Sequence, residues 1–181
     1  MTLFCGISAM SVEGAKTMQI TFSATTLPKT VAEFKSMPEF GFSTPEQTAA
    51  LFIVAMTMYP HDPEVCFEMI NALKGPEQLR PAEKTFIRER LRNKAEFAGN
   101  AYFVGATPAN DYTPEKPYRV VFVENPHSYA DKGYASIYIH TNGADNPRLI
   151  KLRQKGNEWF IWEFYGPMTD LKLMKSQDPW A

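Results

Sequence analysis

A chain of 181 residues with 44% hydrophobic and 22% charged residues is long enough for one generous domain and needs no external staple to fold. Its formal net charge of -1 offers no broad basic surface for nucleic acid. The longest apolar run, Ala49 to Met56, falls well short of the roughly 20 residues that span a bilayer.

Cys5 and Cys66 lie far apart and neither has the spacing of a CxxC or a zinc knuckle, so reduced thiols in a cytoplasmic compartment are expected. The opening Met1-Thr2-Leu3-Phe4-Cys5-Gly6-Ile7 has no basic leader, long apolar run or small-x-small cleavage site. It is expected to be neither a signal peptide nor, with four residues before its cysteine, a lipoprotein leader.

Residues 1–15 are expected to form a flexible arm and residues 16–181 a single domain. Thr17 to Phe22 alternates polar and apolar residues and predicts a first or edge strand. Thr30-Val31-Ala32-Glu33 fits a capping box for a short helix closed by Pro38. Thr44-Pro45-Glu46-Gln47 sets a cap, a first-turn proline, an acidic residue and a capping glutamine in order. The helix it starts has almost no polar stripe and should lie at the centre of the core. Asp62-Pro63-Glu64 opens a third helix, whose apolar Val65, Cys66, Met69, Ile70 and Leu73 recur at helical spacing before Gly75-Pro76. A fourth is expected from Pro81 to about Phe97, with Phe86, Ile87, Leu91 and Ala95 inward.

The period then changes to two. Ala101 to Val104, Tyr118 to Glu124, Tyr134 to His140, Leu149 to Arg153 and Glu158 to Phe164 predict a five-strand antiparallel meander. Thr107 to Pro117 reads as an ordered surface loop. The fold class is therefore α+β, with a helical part over about 28–98 and a sheet part over about 100–170.

Chemistry-bearing motifs are sparse: the sequence holds no GxSxG, GxxxxGK[ST], GxGxxG or HExxH. His61, His127 and His140 have no metal-ligand spacing, and neither metal nor cofactor is expected. His61-Asp62 beside Cys66 invites a thiol–imidazole reading, but Asp62 is better explained as an N-cap and Cys66 as an apolar helix residue. Tyr134, Ser136, Tyr138 and His140 share one strand face and could line a polar aromatic pocket. Trp180 either packs back on the domain or protrudes as a partner anchor.

The most specific geometric expectation concerns Gly156-Asn157, which suits a two-residue type II′ turn. Counting outward, Lys155 faces Glu158, Gln154 faces Trp159, Arg153 faces Phe160, Leu152 faces Ile161 and Lys151 faces Trp162. Leu152, Ile161 and Trp159 then meet the helices, while Lys151, Arg153, Phe160 and Trp162 share the opposite face. That face is either a set of cross-strand cation–π contacts or a ligand platform. Its basic and aromatic side chains also suit single-stranded nucleic acid, which the near-neutral charge disfavours.

The run Lys155-Gly156-Asn157-Glu158-Trp159-Phe160-Ile161-Trp162-Glu163-Phe164-Tyr165, with Asp170-Leu171 and Asp178-Pro179-Trp180, resembles an uncharacterised bacterial domain-of-unknown-function family. The resemblance covers most of the chain from the Thr17 strand onward. It implies a bacterial stand-alone domain and carries no activity or site residues. The hairpin is also similar to the last strands of cystatin-like and nuclear-transport-factor-like cones, and a five-strand meander suits an SH3-like barrel. The helices-first order departs from the cone pattern, so an SH3-like barrel or a cystatin-like curved sheet both stand as expectations.

The functional expectation is a non-catalytic intracellular binding module for a protein or small ligand, acting through Tyr138, His140, Lys151, Arg153, Phe160 and Trp162. Neither nucleic acid nor a membrane is expected as a partner, and the chain is expected to be a monomer or weak homodimer. The alternative is a small enzyme with a pocket between sheet and helices, using Tyr138, His140 or a loop acid such as Asp111.

Overall fold

Alternating residues from both ends of the chain build one antiparallel sheet. The structure is a computed structural model that describes residues 10–12 and 15–181. Strands β1 (Met10–Val12), β2 (Ala15–Thr21), β3 (Arg119–Glu124), β4 (Tyr134–Ile139), β5 (Arg148–Lys155) and β6 (Glu158–Glu163) pair in chain order. Helices α1 (Val31–Lys35), α2 (Pro45–Met58), α3 (Pro63–Leu73) and α4 (Pro81–Leu91) fall between β2 and β3. The layout is α+β, and the strand order is that of an open sheet rather than a closed barrel. Within the stretch expected to be an arm, Met10–Val12 pairs with β2, so β2 lies inside the sheet rather than at its edge.

The helices cover one face. Met18, Ile20, Val120, Phe122, Ala135, Ile137, Ile150, Leu152 and Ile161 point into the core, in step with the period-two pattern. Helix α2 fills the centre: every residue from Thr48 to Met56 is buried, as its all-round apolarity predicts. Thr44 caps it by accepting from the Gln47 N–H at 3.2 Å. The Gln47 amide does not close the capping box; its Nε2 donates to the Glu39 carbonyl (2.8 Å) and joins the preceding loop to the helix.

Two expected elements differ. Helix α4 stops at Leu91, and turns follow as far as Gly99. Those turns bury Phe97, which stacks on Tyr112 at 4.9 Å between centroids, and this packing outweighs helical continuity. Ala101 to Val104 is not a strand but a 3-10 turn at Asn100–Tyr102 followed by a single bridge, Phe103 to Val120. Ala101, Tyr102 and Phe103 are all buried, so the alternation a half-exposed strand requires is missing. Tyr102 also spends its hydroxyl inside, donating to the Pro167 carbonyl at 2.7 Å.

The β5–β6 hairpin keeps the expected register for four pairs, from Lys155–Glu158 to Leu152–Ile161. Gly156 has φ +61° and Asn157 is not left-handed, the backbone of a type II′ turn. Beyond Leu152 a bulge makes Lys151 face Glu163 instead of Trp162. One extra residue on β6 therefore corrects the fifth expected pair. Trp180 does not pack back on the domain; it is 93% exposed. Cys66 is a buried free thiol, and Cys5 lies outside the described residues.

Candidate functional site

Where α3 ends, Gly75 turns the chain with φ +67°, a conformation open to glycine at little cost. The turn lies flat on the edge strand, because a Cβ on Gly75 would stand 3.0 Å from the Phe160 ring. Phe42, in the segment after α1, packs on the same ring at 5.1 Å between centroids. The Trp159 N–H donates to the Phe42 carbonyl (2.8 Å) and the Thr48 hydroxyl donates to the Trp159 carbonyl (2.8 Å). Loops and the first turn of α2 thus satisfy an edge that, among the described residues, has no neighbouring strand.

A cavity of about 290 Å³ opens between this turn and β5–β6. Its lining includes Lys74, Glu77, Arg153, Lys155, Phe160 and Trp162. A second cavity, about 250 Å³, shares Lys74, Glu77 and Trp162 and continues past Arg80, Glu83 and Tyr165. Lys74 sits where the two meet.

The electrostatics of the junction are unusual for a surface groove. The side chains of Lys74 and Glu83 are only 6% and 5% exposed, with Nζ 3.5 Å from Oε1. Nζ also lies 5.4 Å from the centroid of the Phe164 ring. Burial alone would raise the Glu83 carboxyl. The Arg80 backbone N–H at 2.8 Å, the Arg80 guanidinium at 3.3 Å and the Lys74 ammonium reverse that and hold it below the ordinary carboxylate value. The carboxylate is thus well served. The ammonium has three donors and, among the described residues, one long hydrogen-bonding contact besides the Phe164 ring face, with both cavities beside it.

On the outer face, the Arg153 guanidinium lies 4.7 Å from the Trp162 ring centroid and 5.7 Å from that of Tyr134. Lys151 lies 5.1 Å from the Tyr134 ring centroid and 3.6 Å from Asp131 Oδ2. Tyr134 meets Trp162 edge to face at 6.0 Å. The cation–π arrangement expected of this face is therefore centred on Tyr134 and Trp162, with Phe160 taken up by Gly75 and Phe42.

Of the six site residues expected from sequence, Arg153, Phe160 and Trp162 line the cavity and Lys151 flanks it. Tyr138 and His140 do not line it. They lie towards the other end of β4, where Tyr138 pairs with Leu149, about 13 Å along the strand from the Tyr134–Arg153 pair. Asp111, the loop acid of the enzyme alternative, accepts from the Ser176 N–H at 3.0 Å. Asp62 caps α3 through the N–H groups of Glu64 and Val65, and burial pushes the Cys66 thiol far above its ordinary value. The thiol–imidazole reading has no ionisable nucleophile.

Sequence reasoning missed Lys74, Glu77 and Lys155. Gly75-Pro76 reads as a helix stop, and nothing in its pattern says that the stop rests on β6. Among the described residues no His, Cys, Asp and Glu side chains gather in a group that could hold a metal, and no helix is long and apolar enough to cross a membrane.

Residues 26–175 match the family model described as Domain of unknown function (DUF6935). No curated protein and no solved structure matches the chain.

Proposed function

The chain belongs to the DUF6935 family, and from the groove itself we propose that it is a non-catalytic binding module for a small anionic ligand with a flat apolar portion. One observation carries the reading: a cavity of about 290 Å³ sets three cationic side chains, Lys74, Arg153 and Lys155, against one carboxylate, Glu77, beside Trp162 and Phe160. A negative group reaching Lys74 replaces a long ion pair with a charge-assisted contact, while the apolar part covers aromatic surface. The volume lies at the small end of ligand pockets, which favours a compact molecule over a peptide. The buried free thiol of Cys66 supports placing this activity in the cytoplasm.

The test is an NMR titration with naphthalene-1-sulfonate and its uncharged sulfonamide. The sulfonate should shift the Trp162 indole N–H and the amides of 74–77 and 153–155, and bind at least about threefold more tightly than the sulfonamide. Shifts scattered away from these residues, or equal affinity for both probes, would overturn the proposal. Native mass spectrometry of protein from its own host would then name a co-purifying ligand.

A further inference from the structure

At the opposite side of the edge strand from the groove, the β3–β4 connection crosses the start of α2. Glu46, the second residue of α2, is only 2% exposed. The Tyr129 hydroxyl from the connection stands 3.2 Å from Glu46 Oε1 and 3.0 Å from Glu124 Oε1 at the end of β3. A phenol has one proton to donate and can satisfy only one of two carboxylates. Both short contacts hold together when one carboxyl carries a proton and donates it to the Tyr129 oxygen, which donates its own to the other.

We infer that Glu46, Tyr129 and Glu124 form a proton-controlled latch tying residues 125–133 to the start of α2, closed while the two carboxyls share a proton and released when that proton is lost. Two carboxylates around one hydroxyl repel each other, and among the described residues the buried Glu46 charge then has no cation within 4 Å, with its own backbone N–H and the Tyr129 hydroxyl to serve it. Burial first, then the hydrogen bond with Glu124, pushes the Glu46 carboxyl up to about 7, so the transition falls near neutrality. Tyr129 is 48% exposed as a residue, but its hydroxyl lies between the two carboxyls; desolvation there first, then Glu46, raises it above its ordinary value, and it stays a donor throughout.

Lys16 on β2 pairs with Glu124 across the sheet, but among the described residues makes no ion pair within 4 Å. The inner face of β4 to β6 near α2 offers Ala135, Ile137, Ile150, Leu152, Ile161 and Trp159, none of which titrates. Within the connection, Asp131 reaches the outer face to Lys151. His127 lies exposed in the same connection, so its substitution serves as the control.

The release also has a mechanical reader. Tyr129 packs edge to face on Trp159 at 6.3 Å, and Asp131 holds Lys151 over Tyr134. The connection therefore touches both faces of the sheet beside β6.

The experiment follows the amides of residues 125–133 and the Trp159 indole by ¹H–¹⁵N NMR from pH 5.5 to 8.5, in the wild type and in His127→Gln. Both should show one transition near pH 7, with faster amide exchange above it after correction for the intrinsic rate. Glu46→Gln keeps a neutral, hydrogen-bonding side chain and should hold the connection in its low-pH spectrum throughout. Tyr129→Phe should leave the loop exchanging at every pH, with the rest of the spectrum unchanged. A wild-type spectrum that does not move over this range, or a transition that persists in Glu46→Gln but vanishes in His127→Gln, would overturn the latch.

Discussion

The Lys74–Glu83 pair yields the sharpest energetic test, because its two ends are not equivalent. Breaking a buried ion pair from one side costs about 3–5 kcal/mol when the surviving charge has no other partner. Lys74→Met leaves Glu83 with the Arg80 N–H at 2.8 Å and the guanidinium at 3.3 Å, so the cost should fall to about 1–3 kcal/mol. Glu83→Gln leaves the Lys74 ammonium inside with one neutral acceptor and the Phe164 ring face, and should cost about 3 kcal/mol or more. The double variant removes both charges and should cost less than the two singles together by at least about 1 kcal/mol. Urea unfolding followed by far-UV circular dichroism, with a shared slope, measures all three. Additive losses, or a Lys74→Met variant less stable than Glu83→Gln, would refute this account of which charge depends on which.

The remaining predictions test the core, the groove wall and the latch. Leu51→Ala removes three carbons from a site with no exposure; transfer at about 0.8 kcal/mol per carbon plus a cavity term gives about 3–4 kcal/mol, read as a lower denaturant midpoint. An unchanged midpoint would contradict the central placement of α2. Gly75→Ala strains a left-handed residue and drives its Cβ against the Phe160 ring, so it should cost about 1–2 kcal/mol and shift the Trp162 indole resonance. Glu46 titrates about 7 when folded and 4.5 when unfolded, so the folded state holds the extra proton between these values. Its stabilising contribution is complete below pH 4.5 and is lost as pH rises through 7, at no more than about 1.4 kcal/mol per unit. Subtracting the stability–pH curve of Glu46→Gln should isolate that slope, and parallel curves would show that Glu46 does not hold the proton.

What could be read from the sequence was what depends on neighbours along the chain. Thr44-Pro45 and Asp62-Pro63 place caps whose partners lie two or three residues away, and both helices start there. Gly156-Asn157 fixed four hairpin pairs because a two-residue turn leaves no slack. The misses depend on distant partners. Helix α4 yields to a stack between Phe97 and Tyr112, fifteen positions apart, and Ala101 to Phe103 lose their alternation because both sides are covered. The bulge at Trp162 has no glycine or proline to announce it. In the groove, Arg153, Phe160 and Trp162 were legible as one face of a hairpin, whereas Lys74 was not: its role follows from where the end of α3 lands on β6.

The groove and the latch share a cause in the topology. All four helices are inserted between β2 and β3, and among the described residues β6 is left as an edge covered by loops and by the ends of helices. A strand added there would have satisfied every backbone group and left no space. A loop and the start of α2 satisfy Trp159 through Phe42 and Thr48, and the turn at Gly75, seated on the Phe160 ring, leaves a cavity beside it lined by Arg153 and Trp162. The same insertion starts α2 against the end of β3, which places Glu46 beside Glu124 with, among the described residues, no lysine or arginine within ion-pair distance. If covering the edge is what creates the groove, then Thr48→Val, which withdraws the hydroxyl from the Trp159 carbonyl with little change in volume, should loosen β6 first. It should speed amide exchange at Phe160 and Ile161 before residues of β4, and weaken naphthalene-1-sulfonate binding. Uniform loosening of the whole sheet would place the edge contact in the global fold instead and detach it from the groove.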